Sequence, residues 1–205
     1  MTNPLQVPHT KSEAEENLRA IRELMQRPTR HSTFSGLSGV FAGGASLAGC
    51  GITYLLQKNN AIPPDKEILF LFVWASVVFV ALLQDFFLTK RPAAKVGKVI
   101  LSSLGRRMFI GAVPALCSGA LLTLFLLRHH HLNWVYPVWM LCYGCAVCSV
   151  ALFSQTEVLR LGCAFLIAGA FTLLFPAEGL LINAVSFGGF HIVYGIIMAD
   201  KEHRF

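Results

Sequence analysis

Charge is scarce in this chain. Asp, Glu, Lys and Arg make up 14% of its 205 residues, against roughly 25% in an ordinary soluble domain. Only 11 residues are acidic, and no pair of carboxylates is expected to be embedded in the membrane. Catalytic fingerprints are missing too. There is no phosphate-binding Gly-Lys loop, no Gly-x-Ser-x-Gly elbow, no His-Glu-x-x-His and no dinucleotide-binding glycine pattern after a strand. Nothing therefore supports a catalytic residue, and no cofactor is implied. The polar first 33 residues show no short apolar segment behind a basic start, so no cleavable signal peptide is expected. All six cysteines fall within apolar stretches, which leaves no disulfide framework.

What is abundant is apolar sequence. Apolar residues reach 55% and the mean hydropathy is +0.59. That composition excludes a disordered chain, a collagen-like chain and a nucleic-acid-binding tail. A membrane-crossing helix needs roughly 20 mostly apolar residues. Six stretches qualify, at 34–57, 67–88, 108–127, 133–153, 158–175 and 179–199. They are parted by Pro63 and Pro64, by the basic run from Lys90 to Arg107, by Arg128 to His131, by Gln155 to Glu157, and by Pro176.

The net charge of +6 could suggest an acidic partner, but its distribution says otherwise. Lys11, Arg19, Arg22, Arg27, Arg30, Lys90, Arg91, Lys95, Lys98, Arg106, Arg107, Arg160, Lys201 and Arg204 all fall on one side of a six-span topology. Only Lys58, Lys66 and Arg128 fall on the other. Cytoplasmic loops concentrate Lys and Arg, so both termini are expected in the cytoplasm. The surplus is then topological, and no nucleic-acid partner is needed.

The cytoplasmic segment 1–33 holds a predicted amphipathic helix over 12–26. Ser12 and Glu15 form a capping box, and Pro28 follows its end. Ala14, Leu18, Ile21 and Met25 make one apolar stripe, and Glu15/Arg19 and Glu23/Arg27 pair on the other face. One such helix is marginal alone. It must rest on its own protein, on the lipid surface, or on a cytoplasmic protein partner.

A repeat emerges from the later spans. Gly119, Ala120, Thr123 and Phe125 are followed by Trp139 and Tyr143-Gly144. Gly169, Ala170, Thr172 and Phe175 are followed by Phe190 and Tyr194-Gly195. Each half reads as a small-residue helix, a turn, and a helix with an aromatic residue one turn before Tyr-Gly. The spans are therefore expected to pair as three hairpins in parallel repeat.

The segment Gly169-Ala170-Phe171-Thr172-Leu173-Leu174-Phe175-Pro176 and the run Phe187-Gly188-Gly189-Phe190-His191 give the chain a resemblance to a known group. It resembles the small six-helix bacterial inner-membrane proteins of the acid-resistance membrane protein family. The resemblance covers the six spans and not the N-terminal segment. It implies a paired-helix bundle in the inner membrane and no particular chemistry.

Small residues crowd the first span: Gly36, Gly39, Gly43, Gly44, Gly49 and Gly51, with Gly39 and Gly43 in GxxxG spacing. Ala184, Gly188 and Gly195 share a stripe on the sixth. Such stripes let helices approach closely, within one chain or at the seam of a homo-oligomer.

Few side chains at membrane depth could carry chemistry. Asn183, Phe187, His191 and Tyr194 share one face of the sixth helix at i, i+4, i+8 and i+11, and Tyr143 and Trp139 hold the matching place on the fourth. Together they suggest a polar-aromatic ligand pocket, or a histidine bonded to a neighbouring helix for packing. Cys142, Cys145 and Cys148 lie at helical spacing, yet they supply too few converging ligands for a tetrahedral metal site. They read better as small apolar residues. His129, His130 and His131 could hold a metal only weakly, since adjacent residues seldom converge. Asp85 lies at the depth of Arg107 and Arg160, which suggests a structural ion pair among them.

The sequence thus reads as an all-α polytopic membrane protein. A cytoplasmic segment (1–33) precedes a six-helix transmembrane domain (34–199) and a cytoplasmic tail (200–205). The expected function is non-enzymatic, as a scaffold, sensor or small-ligand-binding module. The alternatives are a small-solute or ion transporter or channel with His191 in its path, and a metal- or haem-binding redox protein.

Overall fold

The computed structural model describes residues 15, 36–58, 66–95 and 103–203, all but Glu15 within the unit Ser32–Phe205. The expected surface helix at 12–26 lies outside the described residues, Glu15 excepted. Every regular element among the described residues is helical. They are α1 (Gly36–Lys58), α2 (Lys66–Lys95), α3 (Ser103–Arg128), α4 (Val135–Ala151), α5 (Thr156–Leu174), α6 (Gly179–Asn183) and α7 (His191–His203). A 3-10 turn, Leu132–Trp134, leads into α4, and another, Pro176–Glu178, leads into α6. A π-helical stretch, Ala184–Phe190, joins α6 to α7.

Six of these segments are long and apolar enough to cross a membrane: Gly36–Lys58, Glu67–Asp85, Gly105–Arg128, Leu132–Ala151, Thr156–Leu174 and Pro176–Lys201. Helix is what the composition demands, because hydrocarbon offers no partner for backbone N–H and C=O groups. The bundle also wears its apolar residues outside. Phe109, Ile167, Leu174 and Leu152 are 70–80% exposed. In water that surface would drive aggregation, whereas in a bilayer it is the solvent-facing surface.

Contacts at both ends show the spans alternating in direction. Gly36, at the start of α1, meets Ala199 near the end of α7. Glu67, at the start of α2, meets His130 just beyond α3. The hairpin expectation joined the fifth span to the sixth. In the structure α5 packs chiefly on α4, and the sixth span packs chiefly on α1. The small residues explain the latter seam. Gly36, Gly39 and Gly43 of α1 lie directly against the backbone of Gly188, Gly195 and Ala199. The GxxxG pair is thus engaged within the chain, while Gly44 and Gly51 face open space.

The core sits where α4 and α5 meet the sixth span. Met140 and Phe165 are completely buried there, with Phe70, Leu127, Val135 and Tyr136 around them. Because lipid tails are as apolar as these side chains, burial itself contributes little. Close packing and interhelical hydrogen bonds hold the spans together.

Candidate functional site

His191 is the first residue of α7, immediately after the π-helical stretch. Its Nδ1 lies 2.9 Å from the Phe187 carbonyl oxygen, and its Nε2 lies 2.7 Å from the Tyr143 hydroxyl. A carbonyl can only accept, so Nδ1 carries the proton. Nε2 then accepts from Tyr143, and a neutral imidazole has both nitrogens matched. Aromatic rings enclose the pair. Phe165 lies 4.8 Å from Tyr143, 4.7 Å from Phe187, 5.6 Å from Phe190 and 5.3 Å from His191, ring centre to ring centre.

The expected pocket is therefore partly assembled and partly redistributed. Tyr143, Phe187 and His191 come together. Trp139 turns to the other side of α4, where its Nε1 donates to Thr123 Oγ1 at 2.8 Å. Asn183 faces α1, where its Nδ2 donates to Cys50 Sγ at 3.4 Å. Tyr194 is half-buried one turn beyond His191. The π stretch explains why Asn183 departs from that face. Its wider turns hold an extra residue and rotate everything before it relative to everything after it. A 3.6-residue period carried through Gly188-Gly189 misses that rotation.

Phe165, the centre of the cluster, was not singled out from the sequence. One Phe among many in apolar spans carries no signal of its own. Tyr143→Phe should leave His191 Nε2 without its donor. A loss of about 1–2 kcal/mol is expected, read by SDS unfolding in mixed micelles. The double variant Tyr143→Phe/His191→Leu should lose less than the two single changes added together.

Asp85 needs a correction. Its Oδ1 accepts from Ser38 Oγ at 2.6 Å, and the neighbouring Gln84 donates to the Ser38 carbonyl at 3.1 Å. No ion pair joins it to Arg107 or Arg160 among the described residues. Instead α1 lies beside α2 and presents the Ser38 hydroxyl to it. At the same end of the bundle Glu157 of α5 pairs with Lys201 of α7.

The histidine run diverges. His129 packs on Phe125 at 4.4 Å between ring centres, and His130 bonds Glu67 at 2.7 Å. Backbone chemistry explains the bend. His131 N–H donates to Leu126 O and His130 N–H to Leu127 O, closing α3 with a Schellman turn. His130 holds the left-handed position, φ 60°, that glycine usually fills there. Cys142 lies beside Gly119, Cys148 beside Gly162, and Cys145 is exposed. No group of three or more His, Cys, Asp or Glu that could hold a metal ion occurs among the described residues.

The chain matches no protein-family model, no curated protein and no solved structure. The functional reading must therefore come from the site. Within the bundle Tyr143 binds His191, Trp139 binds Thr123, Ser38 binds Asp85 and Asn183 binds Cys50. Each bond crosses a seam between two spans. Such bonds fix helix against helix, and each one occupies groups that a solute would otherwise need.

Proposed function

We propose that this protein is a non-enzymatic, multi-pass scaffold of the bacterial inner membrane. Its two termini lie in the cytoplasm, and its N-terminal helix, 12–26, docks a cytoplasmic protein partner. The observation that carries this reading is the Tyr143–His191 pair. It is closed by the Phe187 carbonyl and packed among Phe165, Phe187 and Phe190. A histidine serving a transport path needs a free nitrogen and room for solute, whereas this one has both nitrogens in use. The bundle then acts as a rigid platform for the segment before it. Orientation rests on the charge asymmetry: Arg106, Arg107, Arg160 and Lys201 lie at one end and Lys58 and Arg128 at the other.

Two experiments test this reading. Reporter fusions at residue 1, at residue 205 and in the loop at 129–133 should read cytoplasm, cytoplasm and periplasm. The reverse pattern overturns the orientation. Deleting residues 1–27 should leave membrane insertion intact and abolish capture of a partner by crosslinking in cells. Unchanged capture removes the docking role. Solute flux through liposomes that disappears on His191→Ala would replace the scaffold with a transporter.

A further inference from the structure

Where α4 packs on α5, two cysteines that share no sequence spacing come together. Three glycine contacts set the antiparallel register of the two helices: Gly169 against Leu141, Gly144 against Leu166 and Gly162 against Cys148. Each step along α4 toward the connecting turn is matched by a step back along α5. A Cβ at Gly162 would lie 2.6 Å from Cys148 Sγ and 3.0 Å from the Cys148 nitrogen, and one at Gly144 would lie 3.1 Å from the Gly162 carbonyl oxygen. The bare glycines therefore let backbone meet backbone. The Cys148 thiol lies over α5, where a side chain of residue 162 would otherwise stand, and the next residue along α5 is Cys163. The two thiols are direct neighbours there.

Both thiols are free. Side chains normally hold packed helices about 8–10 Å apart, axis to axis. A disulfide needs Cα atoms about 4.4–6.8 Å apart, so it joins two helices side by side only where small residues admit a close approach. Gly144 and Gly162 supply that approach beside Cys148 and Cys163. Cys142 lies instead against Gly119 of α3. Cys163 is exposed on the outside of the bundle, a surface that faces lipid in a membrane, so whatever reaches its thiol must dissolve in the bilayer. Cys148 lies within one turn of the end of α4, and Cys163 two turns into α5. Both are therefore near the end of the bundle assigned to the cytoplasm. Thiols are kept reduced on that side, and the disulfides that form there are transient or redox-sensing.

We propose that Cys148 and Cys163 form a reversible dithiol–disulfide site whose oxidant is a lipid-soluble quinone. As the S–S bond forms, the two thiols give up two protons and two electrons, and the quinone takes both pairs to become a hydroquinone. Exchange with a dithiol reductant reverses the step, beginning at the exposed Cys163 sulfur. The bond fastens α4 to α5 beside Gly144 and Gly162, next to the helix segments that carry Tyr143 and Phe165. The site rests on the membrane setting of the bundle and not on its role as a scaffold.

Tryptic mapping of the full chain in liposomes tests the proposal. Arg160 is the only Lys or Arg between the two cysteines, and Cys163 is the only cysteine in the fragment 161–201. Trypsin therefore separates 129–160 from 161–201 unless a disulfide holds them together. The liposomes are treated without air with duroquinone, a fully substituted quinone that thiols do not add to, and remaining thiols are then blocked. In the monomer band the two fragments should stay linked until dithiothreitol is added, with one hydroquinone formed per link. The linked yield should fall several-fold in Cys148→Ser and stay unchanged in Cys145→Ser. Loss in Cys145→Ser instead overturns the pairing. Copper phenanthroline under air, a general thiol oxidant, reads the geometry alone. No link with it overturns the site, and a link with it but none with duroquinone overturns the quinone as oxidant.

Discussion

Gly195→Leu should open the bundle between α1 and α7. A Cβ at Gly195 would lie 2.5 Å from the Gly36 carbonyl oxygen and 2.6 Å from the Val40 nitrogen. Those atoms are backbone on a neighbouring helix, so no rotamer change relieves the contact. The two helices must separate, and every close contact along the seam weakens with them. A Cβ on Gly36 fares no better, meeting the Ala199 nitrogen. Overpacking a well-filled core costs about 1–3 kcal/mol, and a clash with fixed backbone lies at or above the top of that range. The expected result is a loss on the order of 3 kcal/mol or more, seen as unfolding at much lower SDS fraction. Gly44→Leu is the control. Nothing lies within 4 Å of a Cβ there, so a change within about 0.5 kcal/mol is expected. Equal losses at the two positions would mean that leucine disturbs α1 itself rather than the seam.

Phe165→Ala should be comparably damaging for the opposite reason. Phe165 is completely buried, and four rings meet it within 5.6 Å. Removing it leaves a hole walled by Tyr143, Phe187, Phe190 and His191. In lipid the transfer contribution is small, but lost dispersion contacts and residual cavity volume remain. Phe to Ala in a core costs about 3–5 kcal/mol, and the lower half of that range is expected here. Because Phe165 stands between α5 and the sixth span, the loss should appear first as freer motion of 184–203. Faster hydrogen exchange there than in α3 would show it. Uniform exchange across the bundle would mean that the cluster does not hold the sixth span in place.

These two residues also mark how far the sequence could be read. The apolar stretches locate six spans to within a few residues because hydrophobic length is a local property. Charge interrupts them, and Pro176 stops α5 where expected. The second helix is the exception, continuing into the basic run as far as Lys95. Gly39 and Gly43 announce close packing, but not whether the partner lies in the same chain. Asp85 announces a need for a partner, and only the neighbour actually beside it decides that Ser38 supplies it.

Tyr143 and His191 were legible as candidates because polar aromatic residues at membrane depth are rare. Their bond was not legible, since it joins α4 to α7 across 48 positions. Asn183 was misplaced because the Ala184–Phe190 stretch winds wider than an α-helix, and no residue type encodes that reliably. Composition and charge order by themselves determined an all-helical chain with six membrane-length spans, and they carry the orientation proposed for it. Tertiary structure alone decided which spans touch, which glycines meet backbone, and which polar groups find partners. The physical reason is that helix formation in lipid is dictated locally by the solvent, whereas helix pairing depends on shape and on a few bonds between distant residues.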